Sequence, residues 1–109
     1  ENVNLVIESL GVADIVQCRI TARDVTRGKP DPQVFQLAAK GLGLPVSNCC
    51  VVEDAPAGIK AAHAAGIVCI GLASTGRTRP ELDNAEHVVD SLSELTPSQI
   101  RNLIRNGLR

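Results

Sequence analysis

The stretch from Cys49 to Leu72 restricts the fold more than any other part of this chain. Cys49-Cys50-Val51-Val52 is apolar without alternation, which suits a strand buried on both faces. The run stops on two acids, Glu53 and Asp54. An alanine-rich segment from Ala57 to Ala65 then has the composition of a helix, with Gly66 placed to end it. A second apolar run, Ile67 to Leu72, follows at once. Strand, helix and strand at this spacing imply parallel neighbours joined by a right-handed crossover. In open parallel sheets ligands bind beyond the carboxyl ends of the strands, and Glu53 and Asp54 lie at such an end.

The flanking segments extend the alternation. Val3, Val6, Ile7 and Leu10 have helical spacing, and Gly11 would end a helix over Asn2–Leu10. Ile15–Ile20 reads as a short strand, and Arg23–Asp31 as a loop broken by Gly28 and Pro30. Asp31 is a candidate N-cap with Pro32 in the first turn. Val34, Leu37, Ala38 and Leu42 then form one helical face, closed by Gly41 and Gly43. Residues 74–80 read as a loop, Val88 and Val89 as a short edge strand, and Pro97–Leu108 as a terminal helix with Ile100, Leu103, Ile104 and Leu108 on one face. The expected fold is α/β, a partial Rossmann-like parallel sheet flanked by helices, with residues 1–109 in one domain.

Composition removes several classes of function. The chain has 109 residues and a net charge of -1, with neither a basic run nor aromatic side chains on which bases could stack. No nucleic-acid partner is expected. The longest apolar stretches are too short to span a bilayer, so no membrane role is expected either. No signal peptide is visible, which points to the cytoplasm; because the chain starts at Glu1, an organellar location stays open. Phe35 is the single aromatic residue, so the core must come from Ala, Val, Leu and Ile. Cys18, Cys49, Cys50 and Cys69 make no C-x-x-C pair and read as reduced, buried thiols. His63 and His87 add too little to them for a zinc site.

Two features can carry chemistry. Glu53 and Asp54 close an apolar run, and buried carboxylates need compensation. A hard divalent cation supplies it, and magnesium takes carboxylate together with phosphate oxygens. The plainer reading is that the acids favour the N-terminus of the following helix. The second feature is Lys29 in Arg27-Gly28-Lys29-Pro30-Asp31-Pro32, where two prolines stiffen the turn and give the ammonium a direction suited to phosphate. Its plainer reading is a solvated loop lysine. Asp31 serves equally as a helix cap. Ser74, Thr75, Arg77 and Arg79 fit ordinary turn chemistry, and His63 and His87 fit structural roles.

Taken together, Gly28-Lys29-Pro30-Asp31-Pro32 and Val51-Val52-Glu53-Asp54-Ala55-Pro56-Ala57-Gly58-Ile59 resemble the beta-phosphoglucomutase-like, sugar-phosphate phosphatase branch of the haloacid dehalogenase-like (HAD) superfamily. The likeness implies that 1–109 is the C-terminal portion of a HAD catalytic core, without its first strand and its helical cap. It implies that Lys29 is the catalytic, phosphate-binding lysine. It also implies that Asp54 and Glu53 bind Mg2+, directly or through water. The substrate implied is a small sugar or polyol phosphate, hydrolysed through an aspartyl-phosphate, or isomerised by a phosphomutase.

The family's first motif, D-x-D-x-T or D-x-D-x-V, has no counterpart in these 109 residues. The chain alone is therefore expected to be inactive. A non-catalytic α/β binding module is the alternative, as is a dimerising one that self-associates through an exposed sheet edge.

Overall fold

A computed structural model describes residues 3–8, 15–20, 28–73 and 79–108. The first strand, β1, is Val3–Glu8, and β2 is Ile15–Ile20. Helix α1 (Gln33–Leu42), strand β3 (Cys49–Glu53), helix α2 (Pro56–Ala64) and strand β4 (Val68–Leu72) follow. Strand β5 (His87–Val89) and helix α3 (Pro97–Asn106) complete the described chain. The five strands form one sheet in the order β2-β1-β3-β4-β5.

The segment expected as the helix Asn2–Leu10 is strand β1 where it is described. Its apolar residues fit both periods: Val3, Leu5 and Ile7 alternate with Asn4 and Glu8 as readily as they follow a helical face. Val3, Val6 and Ile7 are β-branched and favour the strand. Pairing decides between the two, since β1 runs antiparallel to both neighbours, from Val3 opposite Ile20 to Glu8 opposite Ile15 on one side and Asn4 opposite Val52 on the other. The parallel sheet of the sequence reading is present in β3, β4 and β5, and β1 adds an antiparallel strand beside it. Only residues 9–14 separate β1 from β2. A parallel crossover needs a dozen residues or more, so so short a link dictates an antiparallel pair. The edge of β3 away from β4 is occupied by β1, and the outer strands of the sheet are β2 and β5.

Strand β3 is buried along its whole length, as its unbroken apolar run requires. Its odd-numbered residues, Cys49 and Val51, pack with Val34, Phe35, Ala38 and Ala39 of α1 and with Ile59, Ala61 and Ala62 of α2. Its even-numbered residues, Cys50 and Val52, pack with Val68, Ile70 and Val89 and with Ile100 of α3 on the opposite face. By the same alternation Glu53 projects to the α1–α2 side. The ring of Phe35 is fully buried there, a burial that contributes about 2 kcal/mol.

Helix boundaries follow local chemistry. Pro32 is the N-cap of α1, and the Asp31 carboxylate just before it accepts the amide of Gln33 at 2.9 Å. Gly43 ends α1 at φ 69°, a left-handed conformation that favours glycine. Thr96 and Gln99 form a reciprocal capping box at the start of α3.

Candidate active site

Strand β3 ends on Glu53, and the turn carrying Lys29 lies over that end. Lys29 Nζ donates to Glu53 Oε2 at 2.8 Å. The lysine side chain is 13% exposed and the glutamate side chain 4%, so the pair is nearly dry. Lys29 Nζ also sits 5.9 Å from the centroid of the Phe35 ring, within reach of a weak cation–π attraction. Phe35 thus floors the site from α1 while anchoring the core beneath it.

The other oxygen of Glu53, Oε1, accepts the backbone N–H of Asp54 at 3.1 Å. Burial pushes the Glu53 carboxyl above its ordinary range; the Lys29 hydrogen bond and charge pull it back part of the way. Asp54, half-buried, is the next residue outward. It lies between β3 and α2, whose N-cap is Ala55 and whose first residue is Pro56. Neither of these offers a side-chain oxygen to the helix start.

The structure therefore brings Lys29 and Glu53 together across 24 positions of sequence and sets Asp54 beside them. The site lies at the carboxyl end of a parallel strand, where the strand pattern places it. Among the described residues no group of three or more His, Cys, Asp or Glu could hold a metal ion. Two carboxylates nevertheless fit magnesium, which keeps several waters and takes one or two protein carboxylates with substrate phosphate. Each Glu53 oxygen has a second lone pair, so its hydrogen bonds do not exhaust it.

Other candidates fall where structural roles explain them. Asp31 caps α1. Arg79 turns back onto the protein, pairing with Asp90 at 3.0 Å and donating to the Val88 carbonyl at 2.9 Å. His63 meets Glu86 at 2.9 Å. Ser74, Thr75, Arg77 and Cys18 lie outside the described residues or side chains. Cys49, Cys50 and Cys69 are buried free thiols. No helix among the described residues is long and apolar enough to cross a membrane. Sequence reasoning missed Phe35 as the floor of the site, and it quoted Gly58 without giving it a task.

A family model for haloacid dehalogenase-like hydrolases matches residues 1–66. The chain belongs to that family. It is 42% identical over 89 residues to validoxylamine A 7'-phosphate phosphatase of Streptomyces hygroscopicus subsp. limoneus, covering 82% of this chain and 41% of the relative. It is 41% identical over 83 residues to hexitol phosphatase A of Escherichia coli K12, covering 76% of this chain and 38% of that protein. The crystal structure of beta-phosphoglucomutase from Clostridium difficile superposes with a TM-score of 0.68 at 33% identity, over 78% of this chain and 36% of that one. The chain spans about two fifths of the length of these relatives.

Proposed function

We propose that these residues form the lysine-and-acid half of a Mg2+-dependent phosphoryl-transfer site that hydrolyses a small sugar or polyol phosphate. The observation that carries the reading is the 2.8 Å contact between Lys29 and Glu53, beside Asp54, at the end of β3. Phosphoryl transfer asks a protein mainly for positioning and charge neutralisation. Lys29, fixed by Glu53 and backed by Phe35, presents a compact positive charge to phosphoryl oxygens. Asp54 and Glu53 would hold the magnesium ion, which neutralises phosphate charge when bound. The phosphatases among the relatives favour hydrolysis, and the beta-phosphoglucomutase likeness keeps a phosphomutase as the second reading.

The 109 residues contain no D-x-D motif, so we propose that they do not turn over phosphoesters by themselves. The test is phosphate release from a panel of sugar and polyol phosphates, with magnesium and with EDTA. It is run on this chain and on a chain of the relatives' length that carries it. The expected result is Mg2+-dependent release by the longer chain alone. Turnover by the 109-residue chain, or turnover indifferent to EDTA, contradicts the reading.

A further inference from the structure

We infer that Gly58 is a positioning residue for the Lys29–Glu53 pair, holding by its missing side chain the space into which Glu53 folds. This deepens the proposal above and rests on it for its catalytic meaning. Gly58 is the third residue of α2, in a helix otherwise rich in alanine: Ala57, Ala61, Ala62 and Ala64. A helix prefers alanine to glycine at such a position. Gly58 has no left-handed φ to demand glycine, and its N–H makes an ordinary turn bond to Ala55 O at 3.0 Å. Backbone conformation therefore does not explain it.

Space does. A Cβ built on Gly58 would fall inside the Glu53 side chain, onto Cγ, Cδ and Oε2. Oε2 is the oxygen that accepts from Lys29. The Glu53 side chain thus packs against the first turn of α2, in contact range of the bare Gly58 Cα. Any side chain at 58 must push it away. Glu53 is 5% exposed and flanked by core, so it cannot simply swing aside into other buried space. Displacing it would turn the acceptor away from Lys29 and release the ammonium from its direction. A glycine inside an E-D-A-P-A-G run is in this way coupled, through Glu53, to a lysine at position 29.

A double-mutant cycle tests the spatial claim whether or not the site is catalytic. Gly58→Ala should lower the Tm of the 109-residue chain. In a Glu53→Ala background the same change should cost nothing or raise Tm, because the obstructing atoms are gone and alanine suits the helix. Equal losses in both backgrounds would overturn the inference. The positioning claim is read on a chain of the relatives' length, with Mg2+ and a phosphoester it hydrolyses. Per folded molecule, Gly58→Ala should lower kcat by about tenfold or more while KM moves far less. An unchanged kcat with Lys29→Met inactive would reject Gly58 as a positioning residue and leave the site standing. An unchanged kcat in Lys29→Met as well would instead reject the site.

Discussion

The two ends of the parallel strands each bury a carboxylate against a nitrogen-bearing side chain, and the carboxylates use their oxygens differently. At the amino end, Glu86 has a side chain 5% exposed and meets His63 at 2.9 Å. The same oxygen also accepts the backbone N–H of Cys69 at 2.7 Å, while the Glu86 N–H donates to the Cys69 carbonyl at 2.9 Å. Glu86 therefore continues the sheet, extending the β4–β5 pairing with a side-chain oxygen. At the carboxyl end, Glu53 is as deeply buried but receives a lysine that arrives from a proline-stiffened turn. Its Oε1 accepts the backbone N–H of its own neighbour, Asp54. Burial alone does not distinguish a functional acid from a structural one. What the acid satisfies does: a strand backbone in one case, a lysine side chain beside a second acid in the other.

The contrast is sharpened most by Lys29→Met. In a chain of the relatives' length it should reduce turnover by about a hundredfold or more. In the 109-residue chain it should cost about 3 kcal/mol in urea denaturation, because Glu53 is left buried and unpaired. Glu86→Ala is the matching change at the other end. Stranding the Cys69 N–H should cost about 2 kcal/mol in the same experiment, with kcat per folded molecule unchanged. A collapse of kcat in Glu86→Ala would erase the distinction between the two ends.

Thr96→Ala, which removes the capping box of α3 remote from both acids, should cost about 1 kcal/mol and leave activity alone. The thiols between the two ends contribute least near neutrality. Burial raises Cys49 from 9.0 to about 11 and Cys50 to about 12, so the native state holds protons that the unfolded chain releases. Stability should therefore fall as pH rises above 9, and alkylation at pH 8 should spare Cys49, Cys50 and Cys69 until the protein unfolds. Thermal melts against pH, with mass-spectrometric mapping of the label, check both.

Strands β3 and β4 with α2 between them were legible because an unbroken apolar run, an alanine-rich segment and a terminating glycine admit one reading. Residues 3–8 were not, since Val3, Leu5, Val6 and Ile7 satisfy two periods and only pairing with β2 and β3 chooses. Lys29 and the two acids were each visible as chemistry waiting for a partner. Their convergence was implied only by the family likeness, because a helix and 24 positions of sequence separate Lys29 from Glu53, and the direct pairing of these two was not foreseen. Glu86 left no trace in the sequence: its task is a hydrogen bond to a backbone 17 positions away. Gly58 was visible only as a glycine among alanines, a local preference violated for a neighbour's sake.

Where phosphate and magnesium bind decides most directly whether Lys29 and Asp54 serve one site. A crystal structure of a chain of the relatives' length, grown with Mg2+ and inorganic phosphate, should show a phosphate oxygen within hydrogen-bond reach of Lys29 Nζ and the metal ligated by Asp54. A phosphate bound away from Lys29, or a metal that ignores Asp54, would contradict it.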